Sequence, residues 1–119
     1  MSASAAARCH RCGAELAAGD EAIVVDGAGQ HRLANRGRLV FDVRCYGHAP
    51  GCATGGPATD EDTWFAGHTW QRAFCRRCGV HAGWLFRGVA RVFFALVAAP
   101  PGPADAADAA TGSEIGEQR

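Results

Sequence analysis

The chain has 119 residues, 48% of them hydrophobic, and a formal net charge of zero. That length suits one domain rather than two, and a zero charge argues against a dedicated binder of nucleic acid or of a membrane surface. Every basic residue is Arg, and the arginines are scattered rather than gathered into a phosphate-binding patch.

Taken in chain order, residues 1–8 have neither the basic start nor the apolar stretch of a secretory leader, and they read as a disordered tail. "EAIVVDG" (21–27) is a β-branched run closed by an Asp-Gly turn signal. "RLVFDVRCY" (38–46) places Leu39, Phe41, Val43 and Cys45 on one face at period two. "GHAPGCATGGPATDEDT" (47–63) reads as a long Gly/Pro/Thr loop. "TWQRAFC" (69–75), "GWLFRG" (83–88) and "ARVFFALVA" (90–98) complete the strands, and the last apolar run is far too short to span a bilayer. Residues 99–119, rich in Pro, Gly, Ala and acid, read as a second disordered tail. A mainly β body over 9–98 remains, with Ile23, Val24, Val25, Leu39, Phe41, Phe74, Phe93, Phe94 and Leu96 as its expected core.

With no targeting signal the expected compartment is the cytoplasm, where six cysteines point to metal ligation or free thiols rather than a disulfide framework. "RCHRCGAE" and "FCRRCGVH" are two copies of Cys-x-x-Cys-Gly. Cys9, Cys12, Cys75 and Cys78 thus predict one structural zinc in a closed tetrahedron of thiolates. The two motifs lie farther apart than the halves of a usual zinc finger, so the metal would pin distant parts of the chain together. His10 and His81 flank the knuckles as bystanders. Cys45 falls on the inward face of its strand, and Cys52 lies in the Gly-rich stretch, with a pairing between the two left open.

The three tryptophans, Trp64, Trp70 and Trp84, all sit in glycine-rich stretches around the second cysteine motif. Large aromatics are most often simply core. Here they add more aromatic area than so small a body requires, and with Phe86 they can form a box. Such a box suits either a methylated ammonium held by cation–π attraction or a flat neutral ring whose polar edge meets backbone groups at the rim.

The ordered set "CHRCG", "NRGRLVFDVRCY", "TWFAGHTW", "FCRRCGVHAGWLF" and "FFALV" resembles the thalidomide-binding (CULT) domain of the cereblon family, most closely its stand-alone bacterial members. The resemblance covers the body from Cys9 to about Val97. It implies a β-tent: two antiparallel sheets at a steep angle, pinned by the four-cysteine zinc. It also implies a cage of Trp64, Trp70 and Trp84 with Phe86 at its base. Imide contacts would come from Asp62, Thr63 and Trp64, with Asn35 and Phe41 flanking the mouth and wall. The implied partners are glutarimide, thalidomide-type drugs, uridine-like rings, or a protein carrying a C-terminal cyclic imide.

Asp62 stands where family members commonly have Phe or His, Asn35-Arg36 replaces an Asn-Pro loop, and His68 replaces a common Tyr. No ligase-adaptor region is seen, so no ubiquitin-ligase partner is expected. The implied protein is not an enzyme. The enzyme alternative is a methionine sulfoxide reductase of the B type, but its late strand would need a nucleophilic cysteine that "ARVFFALVA" lacks. An aromatic-cage reader of methylated ammonium groups is the other rival. On the cage reading, Trp84→Ala should abolish ligand binding while leaving the fold intact.

Overall fold

Residues 5–35, 37, 39–98 and 102–103 are described by a computed structural model of the chain. Strands β1 (Ala7–Arg8) and β2 (Glu15–Ala17) form a short antiparallel hairpin around the first cysteine motif. A single 3-10 turn, Gly19–Glu21, follows. The other strands are β3 (Gln30–Ala34), β4 (Leu39–Tyr46), β5 (Cys52–Thr59), β6 (Thr69–Cys75), β7 (His81–Arg87), β8 (Val92–Val97) and β9 (Gly102–Pro103). They make one antiparallel sheet in the order β3-β4-β8-β7-β6-β5, with β9 also pairing to β4. The protein is therefore mainly β with two antiparallel sheets, as expected, although they are very unequal: one of two strands and one of seven.

The large sheet buries both of its faces. One carries Phe41, Val43, Cys45, Trp70, Trp84, Phe86, Phe93 and Ala95 in a single apolar cluster. The other carries Tyr46, Ala73, Cys75, Ala82 and Leu96, which pack with Cys9, Leu16 and Ala17 of the hairpin. Strand β7 lies between β6 and β8 and is buried over nearly its whole length. A side chain at Gly83 would collide with the carbonyl of Ala95 on the neighbouring strand, so this position requires the close approach that glycine permits.

Several expectations change. Residues 47–63 are not all loop: Cys52–Thr59 is strand β5 at the sheet edge. Pro57 and the Gly55-Gly56 pair disguise it, and an edge strand tolerates both because one side of its backbone has no ladder to make. "EAIVVDG" is not a strand. It enters through the 3-10 turn and ends in a tight hairpin turn, where Val25 and Ala28 exchange hydrogen bonds of 2.9 and 3.1 Å. Asp26 and Gly27 have φ of 50° and 86°, the two positive values that such a turn demands. Val24, 69% exposed, and Leu39, 40% exposed, lie outside the core assigned to them. Most of the two tails falls outside the described residues, but Ala7–Arg8 and Gly102–Pro103 pair into the sheets.

Candidate functional site

The two cysteine motifs fold into matching knuckles. In the first, Gly13 N–H donates to the Cys9 carbonyl (2.9 Å) and Cys9 N–H to that of Ala14 (2.8 Å). In the second, Gly79 N–H donates to Cys75 (2.8 Å) and Cys75 N–H to Val80 (2.9 Å). Gly13 and Gly79 have φ of 78° and 79°, the left-handed backbone that closes each turn. The four sulfurs of Cys9, Cys12, Cys75 and Cys78 all lie within 4.8 Å of one another. Across the two knuckles, Cys9 Sγ is 3.6 Å from Cys78 Sγ and Cys12 Sγ is 3.7 Å from Cys75 Sγ. A tetrahedral ion with metal–sulfur bonds of about 2.3 Å would hold its ligands about 3.8 Å apart, so these sulfurs fit a metal ion. None of the six cysteines is in a disulfide.

The sulfurs share their protons unevenly. Burial pushes the Cys9 thiol up, but the N–H groups of Cys12 and Arg11 and the thiols of Cys78 and Cys12 outweigh it, bringing it down to about 6. For Cys78 the Val80 N–H favours the thiolate, yet burial and sharing with Cys9, Cys12 and Cys75 win, raising it to about 11. The group therefore loses its protons in steps. Cys45 and Cys52 lie in clusters on opposite faces of the sheet. Burial raises them to about 12 and about 11, so both remain protonated thiols at neutral pH. Cys52 faces Cys75 across the β5–β6 ladder.

The aromatic residues converge on the other face. Trp64 meets Trp84 edge-to-face with ring centres 4.6 Å apart, and Phe41 lies 6.0 Å from Trp64 and 5.0 Å from Trp84. Phe86 lies 6.5 Å from Trp64 and is the cross-strand partner of Trp70. The walls are packed onto one another: Trp84 is 0%, Trp64 2% and Trp70 5% exposed. Anything entering between Trp64 and Trp84 must part them.

The rim segment is strongly bent. Asp62 has a φ of 56°, which a residue with a side chain rarely adopts. Thr63 N–H donates to Asp60 O (3.3 Å), and its hydroxyl donates to Phe65 O (3.3 Å). Asn35 Oδ1 accepts the Leu39 N–H (2.8 Å), closing the turn beside Ala34. Of the candidate residues, Trp64, Trp84, Phe86 and Phe41 thus share ring contacts. Trp70 joins them through the β6–β7 ladder. Asp62 and Thr63 lie in the turn leading to Trp64, and Asn35 follows Ala34, whose carbonyl accepts the Trp64 indole N–H.

Two indole donors are taken by backbone carbonyls. Trp64 Nε1 donates to Ala34 O (3.0 Å) and Trp70 Nε1 to Glu61 O (2.8 Å). Trp84 Nε1 has no partner, and it is the one buried polar side-chain atom among the described residues of which this is true. Leaving such a donor unpaired costs about 1–3 kcal/mol.

Compared with protein-family models and with curated proteins, the chain matches none. The functional reading therefore rests on its own motifs and geometry.

Three residues join the site that the sequence did not single out for it. Phe65 is buried and packs on Phe86 at 4.9 Å and on Phe93 at 5.1 Å. Arg72 lies opposite Trp84 in the ladder, with its guanidinium 5.8 Å from the Trp70 ring centre. Its place two residues after Trp70 on one strand was the available signal. His81 stays outside the group of four cysteines, as expected, and turns to the aromatic side: its ring meets Trp84 edge-on at 4.8 Å, and its Nε2–H donates to Gly83 O (2.9 Å). Burial lowers its pKa below the ordinary value. The Gly83 hydrogen bond opposes that shift, and Arg72 and His10 reinforce it.

His68 is a buried strut. Arg91 Nε donates to its Nε2 (3.1 Å), so the proton sits on Nδ1, which donates to Ala66 O (2.9 Å). Arg91 also reaches Asp26 Oδ1 at 3.0 Å. This chain of contacts ties the Asp26-Gly27 turn to the segment between Trp64 and Trp70.

Proposed function

We propose that the protein is a non-enzymatic binding module of the cereblon CULT type, holding one structural zinc and taking a cyclic imide or a related flat ring between its tryptophans. The observation that carries the reading is the convergence of Trp64, Trp84, Phe86 and Phe41 into one aromatic cluster, with Trp70 on the adjacent strand. Zinc is the ion best matched to four thiolates in a closed tetrahedron, and such a site keeps no open position for catalysis. A flat ring that slides between the indoles gains apolar contact on both faces, while its N–H and carbonyl edge meets backbone groups near Asp62, Thr63 and Trp64. Because the walls touch, binding begins with a separation of the Trp64 segment from Trp84.

The buried, protonated state of Cys45 and Cys52 supports a binder over a reductase, since neither offers a ready thiolate. The cytoplasm is the proposed compartment. Among the described residues no helix is long and apolar enough to cross a membrane. A free small molecule or a protein ending in a cyclic imide is the proposed partner, with no ubiquitin-ligase adaptor, nucleic acid or membrane.

The test is a titration of the zinc-loaded protein with glutarimide or thalidomide, followed by tryptophan fluorescence. A saturable one-to-one change supports the reading. A flat titration with glutarimide, thalidomide and uridine refutes it.

A further inference from the structure

Five of the six cysteines belong to the apolar cluster shared by the large sheet and the hairpin, or pack against it. One of the five, Cys52, is not among the four whose sulfurs gather. It opens strand β5 and is the ladder partner of Cys75 on β6. Residues directly opposite in a ladder point to the same face of the sheet. The backbone hydrogen bonds decide which kind of pair they make. Arg76 N–H donates to Gly51 O (3.0 Å), while Cys52 N–H turns to Ala49 O (3.1 Å) and Cys75 N–H to Val80 O (2.9 Å). Cys52 and Cys75 therefore exchange no hydrogen bond, and theirs is the closer kind of antiparallel pair, with α-carbons about 4.5 Å apart. A disulfide requires α-carbons about 4.4–6.8 Å apart, so this pair can be bridged without moving either strand.

The register at this point is firmly held. Arg76 Nε donates to Pro50 O (3.0 Å), Gly51 N–H donates to Leu16 O (3.0 Å), and a side chain at Gly51 would collide with Glu15 O. The neighbours of Cys52 in the cluster include Ala17, Ala49, Ala73 and Ala82, so an alanine would suit the same surroundings. The sulfur at this position calls for a role beyond filling space.

We propose that Cys52 is a resolving thiol for Cys75: a hydroperoxide converts the pair into a cross-strand disulfide, which withdraws Cys75 from the four-sulfur group and loosens the metal. The proposal goes beyond the binding function and rests on the zinc reading alone. Cys12 and Cys78 are half-buried, and Cys12 Sγ lies 3.7 Å from Cys75 Sγ, so a small oxidant can reach the group from that side. The Cys75 thiolate attacks one peroxide oxygen. The O–O bond breaks, hydroxide leaves, and the sulfur becomes a sulfenic acid. The Cys52 sulfur then attacks the Cys75 sulfur, the S–O bond breaks and the S–S bond forms. The hydroxyl departs as water with the Cys52 thiol proton, so no free Cys52 thiolate is needed. Two electrons have passed from the two sulfurs to the peroxide. Cys9, Cys12 and Cys78 are committed to the group, and Cys45 lies on the opposite face of the sheet, which leaves Cys52 as the uncommitted thiol beside it. Three thiolates hold zinc less firmly than a closed set of four, so oxidation frees the β1–β2 hairpin from the second knuckle. Transient disulfides of this kind serve redox sensing in the cytosol, where thiol reductants reverse them.

The experiment treats the full, zinc-loaded chain with hydrogen peroxide. Released zinc is read with a chromogenic chelator, and disulfides are located by peptide mapping. Trypsin frees Cys75 in the peptide 73–76 with no other cysteine, whereas Cys52 shares 45–72 with Cys45, and fragmentation tells those two apart. The expected result is one Cys52–Cys75 link and one zinc released per chain, both undone by dithiothreitol with added zinc. Cys52→Ala should fold and bind one zinc. On peroxide treatment it should lose that zinc without recovery, because a sulfenic acid with no resolving partner oxidises further to the irreversible sulfinic acid.

Links confined to Cys9, Cys12, Cys75 and Cys78, or equal recovery of zinc in wild type and Cys52→Ala, overturn this inference while the zinc reading stands. A folded chain that carries no zinc refutes the zinc reading and this inference with it. Should Cys52→Ala not fold, the peptide map of the wild type alone decides.

Discussion

The two faces of the large sheet are organised in opposite ways. On one, a cluster of four cysteines is built from two short repeats, each closed by its own backbone hydrogen bonds and a left-handed glycine. On the other, an aromatic cluster is gathered from strands and turns far apart in sequence, held by side-chain packing and by two indole hydrogen bonds to distant carbonyls. A local motif carries its geometry within itself, so the sulfurs reach ligating distance once the two knuckles meet. A non-local cluster takes whatever arrangement the sheet register gives it. Strand β7 joins the two: from Cys78 it is three residues to His81 and three more to Trp84.

The comparison can be broken most forcefully at the metal. Cys75→Ser removes one of four thiolates, and structural zinc sites contribute apparent binding energies of about 10–16 kcal/mol. Cooperative thermal unfolding should disappear, and a strong chelator should have the same effect on wild type. Elemental analysis should give one zinc per chain. A cysteine variant that melts like wild type would show that the sheet stands without its metal.

The next effect is at the aromatic cluster. Trp84→Ala, expected from sequence to abolish binding and keep the fold, should also lower stability, because Trp84 is wholly buried. The cavity should cost about 3–5 kcal/mol, a large share of the ~5–15 kcal/mol that holds a typical domain. Denaturant titration measures this, and a loss below about 1 kcal/mol would mean that the cluster is not core. Gly83→Ala should follow at about 1–3 kcal/mol, because its methyl meets the Ala95 carbonyl.

A subtler effect belongs to His81, which sits between the two regions. Its pKa is lowered in the folded state. Above its ordinary value of about 6.5, folded and unfolded chains both hold it neutral. Below that value the unfolded chain takes up the proton first, so stability falls as pH drops toward the folded-state pKa. A proton-NMR titration of the His81 ring should show a midpoint below about 6.5, and a midpoint above it would contradict the assignment. Smallest of all should be Asp42→Asn. The pair Arg32–Asp42, 3.0 Å apart across β3 and β4, is largely exposed. Its loss should change stability by less than about 1 kcal/mol.

What was legible in the sequence follows the same division. The cluster of four cysteines was readable because Cys-x-x-Cys-Gly states its own fold. Strands β4, β6, β7 and β8 were readable because their β-branched and aromatic residues follow strand patterns. Strand β5 was not, since Pro57 and paired glycines are turn signals everywhere except at an edge. Val24 and Leu39 misled because apolar character alone does not say which side of the backbone faces inward. The aromatic residues named from the sequence share one cluster, but their near-complete burial and the unpaired Trp84 donor depend on cross-strand register, which no short motif encodes.

The plain chemistry of β5 has a consequence for the molecule in a crowded solution. A sheet of this size ends in a row of backbone groups that can recruit another chain. Pro57 lacks the N–H that such recruitment needs, and the register of β5 against β6 slips between Gly55 and Thr59, leaving no flat, continuous template. Straightening that border with Gly56→Val and Pro57→Val should leave the interior untouched while making the protein prone to self-association. The least ornamented strand of the domain is thus its guard against fibril-like stacking.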